Sequence, residues 1–201
     1  MSYTYPPHFK YPETEKIFFT DHVELWESIL GELKNKPNNT LEIGALYGGC
    51  SVYILEEFCK HSESRHTIMD INENDFIVNN LLPYGNKVKY LLGESSDGFR
   101  TLKGKDIFDL IYIDGNHMSK YVLEDAVNSF YVLKDGGYMI FDDFGGGWEQ
   151  EKHLQVKTAV ESFVHSYEKY IDIIHQGYQF IIRKKEYINN DELIGNYYKT
   201  L

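Results

Sequence analysis

Cysteine is nearly absent from this sequence: Cys50 and Cys59 are the only two in 201 residues. That excludes both a disulfide framework and a clustered-thiolate zinc site, and it suits a reducing compartment. Proline is scarce too, with five in all, three of them before residue 20. No run approaches the ~18 consecutive apolar residues of a membrane-spanning helix, so no membrane partner is expected. The first ten residues are polar and aromatic and lack the apolar stretch of a secretory signal, which leaves the cytoplasm as the expected location. Positive charge is in deficit: 20 Lys and Arg stand against 31 Asp and Glu, a formal net charge of −11. The basic residues are dispersed, with a single run of three at Arg183-Lys184-Lys185. Such a surface repels phosphate backbones, and nucleic acid is not expected as a partner.

What is present describes one globular domain over residues 1–201, 42% hydrophobic and 25% charged. At that size roughly 70% of the unfolded chain's surface can be buried, enough for a full core. Seventeen Tyr, 12 Phe and 2 Trp make 15% of the chain aromatic, and most of those rings belong to the core. Short β-branched runs alternate with longer helical patterns, the mark of βαβ units and a parallel sheet with helices on both faces. Residues 1–37 read as an irregular arm to about 19, then a helix over 20–36 capped by Thr20, with Val23, Trp26, Ile29/Leu30 and Leu33 at helical spacing. Strands are expected at 40–43, 66–70, 87–92, 108–113 and 137–141. Helices are expected at 49–60, 73–82, 97–102, 119–133 and 149–167, with Asp97 as an N-cap. A closing pair at 170–174 and 178–182 has hairpin spacing, so one strand should run antiparallel on an otherwise parallel, doubly wound, Rossmann-like sheet of seven strands. Residues 38–183 are the expected cofactor-binding core, and 184–201 a polar tail that packs as a short helix or a loose strap.

The first strand runs into Glu42-Ile43-Gly44-Ala45-Leu46-Tyr47-Gly48-Gly49. Glycines there let a ligand approach the backbone and leave helix N–H groups facing it; the plain alternative is a tight strand-to-helix turn. The spacing is neither the Gly-x-Gly-x-x-Gly of dinucleotide binders nor a phosphate-binding loop. Glu42, inside the strand, suits a ligand carrying positive charge. Asp70, about 28 residues on, can accept both hydroxyls of a ribose, or else cap the next helix. Glu94 and Ser95 follow the third strand, where small polar groups reach an adenine edge.

Together these segments, with Phe108–Asp114 and Leu133-Lys134-Asp135-Gly136-Gly137, resemble a class I S-adenosylmethionine-dependent methyltransferase over roughly residues 38–183. The likeness is greatest to metal-assisted small-molecule O-methyltransferases of the catechol and sugar-modifying types. In the latter the fourth strand ends Ile-Asp-Gly-Asp-His; here it reads Ile113-Asp114-Gly115-Asn116-His117. Asp125 stands where the family often has an acid, and the stretch from Val156 to Phe163 resembles the helix after its fifth strand. Cys50 replaces a frequent serine, and Ser119 a frequent tyrosine.

The resemblance implies methyl transfer from S-adenosylmethionine to a hydroxyl of a small acceptor, with sugars among the candidates. The cofactor would be held by Glu42, Gly44, Gly48, Asp70, Glu94, Ser95 and Asp114. Asp114, Asp142 and Asp143, gathered at one sheet edge, would repel strongly without a divalent cation, and an all-oxygen set favours Mg²⁺, Mn²⁺ or Ca²⁺ over zinc, with Mg²⁺ or Mn²⁺ expected. The alternative has Asp142-Asp143 capping a turn into the following glycines. His117, three residues after Asp114, is the expected base, since an imidazole near pH 6.5 can take a proton from a metal-acidified hydroxyl. Association of like copies stays open. Two rival readings share the architecture: a nicotinamide-dependent oxidoreductase, and a non-catalytic interaction module.

Overall fold

A computed structural model describes residues 3–15, 18–104, 107–147 and 151–186. Among these described residues seven strands form one sheet: β1 Asn39–Ile43, β2 Arg65–Asp70, β3 Val88–Leu92, β4 Phe108–Ile113, β5 Leu133–Phe141, β6 Ile171–Gln176 and β7 Phe180–Lys184. Their order is β3-β2-β1-β4-β5-β7-β6. The first five run parallel, and β7 lies antiparallel between β5 and β6. Among the described residues six α-helices surround it: α1 Val23–Ile29, α2 Gly49–Glu57, α3 Asp75–Leu81, α4 Ser95–Thr101, α5 Ser119–Val132 and α6 Val156–Tyr167.

The two-residue period of the strands sorts their side chains into two cores. Leu110, Tyr112, Ile140 and Ile181 meet Trp26 of α1, Tyr53 of α2 and Ile77 of α3 on one face. Leu41, Ile43, Met69, Ile111 and Ile113 meet Val122 of α5 and Phe163 of α6 on the other. Each fully buried Ile or Phe here stabilises the fold by roughly 1.5–3 kcal/mol. Parallel strands end their carboxyl termini along one edge, so residues 44, 70, 93–94, 114 and 142–143 all emerge there.

Several boundaries differ from the sequence expectation. The helix foreseen over 20–36 is three pieces: a 3₁₀ turn at Phe18–His22, α1, and a second 3₁₀ turn at Gly31–Leu33. Val23, Trp26, Leu30 and Leu33 are buried as their spacing requires. Gly31, however, is a poor helix former, and the backbone leaves the helix at Leu30 (φ −95°, ψ 8°). Thr20 is not the cap; His22 precedes α1 and makes no side-chain capping bond. Helix α6 begins at Val156, not 149, because the inward period Val156, Ala159, Val160, Phe163 starts only there; residues 148–150 lie outside the described residues. Helix α4 begins at Ser95, with Asp97 inside its first turn, because the N–H groups of Asp97 and Gly98 both bond to the Glu94 carbonyl. The cap of α3 is Asn74, whose Oδ1 accepts from the N–H groups of Phe76 and Ile77 at 3.0 and 3.1 Å, and Asp70 is free of that role. Strand β5 starts four residues early, at Leu133, with a register irregularity between Phe108 and Leu110 on its partner. The expected tail falls mostly on residues 187–201, outside the described residues.

Candidate functional site

The turn from β1 to α2 is held in place by its neighbours. Gly44 adopts φ +82° and Gly48 φ +80°, values that favour glycine. A Cβ on Gly44 would stand 2.2 Å from the Asp114 carbonyl oxygen. The glycine is thus required first by the close approach of β1 and β4, and only then by any ligand. Asp70 Oδ2 accepts from the N–H groups of Ala45 (2.7 Å) and Leu46 (3.3 Å), while Oδ1 accepts from Asn72 (2.9 Å). Asn74 and Asn80 donate to the carbonyls of Leu46 and Tyr47, both at 2.8 Å. The side chain of Leu46 projects outward, 65% exposed.

Two expected cofactor contacts are placed elsewhere. Glu42 is 1% exposed and faces the core, where its Oε2 accepts from Ser51 and meets His66 Nε2 at 3.0 Å. His66 Nδ1 in turn lies 2.8 Å from Thr40 Oγ1. A carboxylate at a mid-strand position on the inner face is bound to be satisfied inside, so Glu42 braces the turn from beneath instead of lining it. Ser95 likewise donates its hydroxyl to Asp125 Oδ1 at 2.5 Å, tying α4 to α5, while Glu94 stays exposed beside it.

Burial pushes the Asp125 carboxyl up to about 6, against the opposing pull of the Ser95 hydrogen bond. An unfolded Asp ionises near pH 3.9, so the folded state is penalised as pH rises from about 4 through about 6. Asp125→Asn is therefore expected to stabilise by ~1–3 kcal/mol at about pH 7 and by little at about pH 4, measured in paired urea titrations. An equal gain at both pH values would show that ionisation is not what the site resists.

The acidic edge is more differentiated than three adjacent aspartates. Asp114 Oδ1 stands 3.6 Å, and Asp143 Oδ2 3.3 Å, from His117 Nε2. Single ligand atoms of Asp114, His117 and Asp143 all lie within 4.8 Å of one another. Asp142 does not join that group. Its Oδ2 accepts from Tyr112 Oη at 2.7 Å and its Oδ1 from Gln179 Nε2 at 3.1 Å, with His22 Nε2 at 3.9 Å. The reason is the alternation at the end of β5: successive residues point to opposite sides, and Asp143 is swung round by a left-handed backbone (φ +54°). Tyr112 Oη also lies 3.1 Å from Asp114 Oδ2, and Tyr178 donates to Asp143 Oδ1.

Desolvation, with Asp142 and Asp143 close by, pushes the Asp114 carboxyl up to about 7, against the pull of His117. The bond to Asp114 in turn raises His117 above its ordinary value. Crowded carboxylates of this kind, with a histidine among them, are a donor set suited to a divalent cation.

Four residues of the edge escape sequence reasoning. Tyr112 carried a local signal, since it stands on β4 two residues before Asp114, which follows the strand's end, and its hydroxyl reaches that carboxylate. His22, Tyr178 and Gln179 carried none, because only the tertiary packing of the N-terminal turn and the β6–β7 turn brings them here. His22 stacks on Tyr178 with ring centroids 5.6 Å apart, and Gln179 Oε1 accepts from Trp26 Nε1 at 2.7 Å.

Among the described residues no helix is long and apolar enough to cross a membrane. No curated protein matches the chain. Solved structures do: the MycE methyltransferase of the mycinamycin biosynthetic pathway, in complex with Mg and SAH, shares 15% identity at TM-score 0.63, over 90% of this chain and 52% of that one. The chain thus spans about half of MycE's length. An O-methyltransferase from Bacillus cereus in complex with SAH shares 17% at TM-score 0.64, over 90% of this chain and 84% of that one. A 1,6-didemethyltoxoflavin-N1-methyltransferase from Burkholderia thailandensis shares 15% at TM-score 0.57, over 83% and 77%. Oxygen and nitrogen methylation thus both occur on this fold, whereas the nicotinamide reading finds no support. A family model described as a methyltransferase domain matches residues 41–144, from the first strand through the acidic edge, and the chain belongs to that family.

Proposed function

We propose that the chain transfers a methyl group from S-adenosylmethionine to a hydroxyl oxygen of a small acceptor, assisted by Mg²⁺ or Mn²⁺. The observation that carries this reading is the gathering of Asp114, His117 and Asp143 at the same sheet edge as the Gly44–Gly48 turn. The turn, with its positive-φ glycines and exposed edge, would take the cofactor's amino-acid portion. Asp70 would receive the ribose hydroxyls, and the backbone around Glu94 the adenine. S-adenosylmethionine supplies the electrophilic methyl group. A cation on Asp114 and Asp143 would lower the pKa of an acceptor hydroxyl and fix its direction. The His117 Nε2 would take the hydroxyl proton, leaving the acceptor oxygen as the nucleophile for the methyl group that S-adenosylmethionine supplies. Asp142 serves as support, holding Tyr112 and Gln179 behind the other two carboxylates. Oxygen is favoured over nitrogen because the site collects carboxylates and a base, which suit an acceptor that must lose a proton. On this reading residues 38–183 form the cofactor-binding core, 1–37 buttress it, and the enzyme works in the cytoplasm.

The test is transfer of labelled methyl from S-adenosylmethionine to a panel of diols, catechols and sugars, with Mg²⁺, with Mn²⁺ and with chelator. Transfer that stops in chelator and returns with either cation is expected. Undiminished transfer in chelator would remove the cation from the mechanism. Absence of S-adenosylmethionine binding by calorimetry would favour a non-catalytic module instead.

A further inference from the structure

The turn between β6 and β7 brings two consecutive side chains to the acidic edge, and they treat its carboxylates differently. Gln179 Nε2 donates to Asp142 Oδ1 at 3.1 Å, and Tyr112 Oη to Asp142 Oδ2 at 2.7 Å, so both oxygens of that carboxylate are engaged. Tyr178 donates its hydroxyl to Asp143 Oδ1, while Asp143 Oδ2 faces His117 Nε2 at 3.3 Å. Asp114 shows the same division in weaker form. Its Oδ2 lies 3.1 Å from Tyr112 Oη, a hydroxyl it shares with the nearer Asp142, and its Oδ1 looks to His117 at 3.6 Å. Each carboxylate of the cluster thus turns one oxygen toward His117 and rests the other against a tyrosine.

The rest of its residue holds the Tyr178 hydroxyl in place. The Gly145 N–H donates to the Tyr178 carbonyl at 2.9 Å. A Cβ on Gly145 would stand 2.8 Å from the Tyr178 Cα, so the two backbones touch. The ring lies nearly parallel to that of His22, with an interplanar angle of 18°. Asp143 is held as well: its left-handed backbone is a conformation the surroundings must maintain, and the Gly146 N–H bonds back to its carbonyl at 3.0 Å. Neither partner can turn away without disturbing the loop.

That arrangement bears on which cation the cluster takes. Ca²⁺ gathers about six to eight oxygens at roughly 2.3–2.6 Å and readily uses both oxygens of a carboxylate. Mg²⁺ takes about six ligands at roughly 2.0–2.1 Å, keeps several waters and needs few protein oxygens. We propose that Tyr178 is a specificity-determining residue for the cation: by occupying Asp143 Oδ1 it leaves that carboxylate one open oxygen and turns the site from Ca²⁺ toward Mg²⁺ and Mn²⁺. The inference rests on the cation reading of Asp114, His117 and Asp143 given above.

Displacement of Mn²⁺ from the full chain, followed by the electron paramagnetic resonance of the released ion, measures Mg²⁺ and Ca²⁺ affinities without turnover. The wild-type chain is expected to yield its Mn²⁺ to Mg²⁺ at least as readily as to Ca²⁺. Tyr178→Phe keeps the ring against His22 and removes only the hydroxyl, and its ratio of Ca²⁺ to Mg²⁺ affinity is expected to rise about tenfold. The position is 47% exposed, so the variant should fold, which circular dichroism checks. His22→Ala, which loosens the ring and spares the hydroxyl, should leave the ratio unchanged. A ratio unaltered in Tyr178→Phe, or shifted equally in His22→Ala, would overturn the role of the hydroxyl. A wild-type chain that prefers Ca²⁺ would overturn it without any variant. Failure of the wild-type chain to bind Mn²⁺ at all would overturn the cation reading itself, and this inference with it.

Discussion

Replacing His117 by alanine is expected to lower kcat by ~10²–10⁴-fold while leaving S-adenosylmethionine affinity nearly intact. The imidazole is reachable from solvent, its side chain 55% exposed, and its Nε2 faces both Asp114 and Asp143. A base must be unprotonated to work. Without a cation its bond to Asp114 raises the His117 pKa above its ordinary value, and a base working there makes the rate climb with pH along an acidic limb. In His117→Ala that acidic limb should vanish. The geometry also permits a second role, because the same nitrogen belongs to the cluster suited to a cation. Metal titration of the variant separates the two. Retained cation affinity with a lost limb makes His117 the base, and lost affinity makes it a ligand. An unaltered rate would assign it neither role.

The second large effect belongs to Gly44. In Gly44→Ala the new Cβ would lie 2.2 Å from the Asp114 carbonyl oxygen and 2.6 Å from the Gly115 Cα, both backbone atoms that cannot swing aside. The backbone there, at φ +82°, is itself strained for an L side chain. A loss of more than about 4 kcal/mol in urea unfolding is expected, which few single substitutions reach. Gly85→Ala provides the contrast, for its φ is also positive but nothing lies within 4 Å of the added carbon. That variant should lose only ~1–3 kcal/mol, the cost of backbone strain. If Gly44→Ala kept wild-type stability and lost only S-adenosylmethionine binding, the glycine would be explained by the cofactor's approach instead of by the meeting of two strands.

The parts of this molecule readable in its sequence are those governed by local rules. The run from Leu110 to Ile113 alternates between two cores inside one strand; the spacing of Val156, Ala159, Val160 and Phe163 describes one helix face. The gathering of strand ends, and hence of Asp114 with Asp143, follows from parallel topology. Side-chain direction within that edge did not. Whether Asp142 or His117 completes the cluster depends on a positive φ at Asp143 and on partners from Gln179 and His22, some 37 and 120 residues away in sequence. The surroundings of Glu42 were equally hidden: its place in the motif points to the ligand, while its inward register brings it to Ser51 and His66. The helix over 20–36 failed at Gly31, where apolar spacing survived a change from α to 3₁₀ geometry. Periodicity reports which residues face inward, not which hydrogen bonds the backbone makes.

The place of β7 in the sheet has a consequence for how the chain is made. Strand β6 emerges first, yet it touches the sheet only through β7, the last of the seven in order. Until Lys184 has been synthesised, β5 therefore carries an unpaired edge, and Gln179 cannot reach Asp142 or Trp26. A nascent chain can assemble β1 to β5 from neighbouring segments as they appear, but the acidic edge acquires its support only in a late, long-range step. Newly made protein should accordingly pass through a form with a nearly complete sheet and no competent site. That form would present an open strand edge, ending at the paired aspartates, to whatever else in the cell can add a strand.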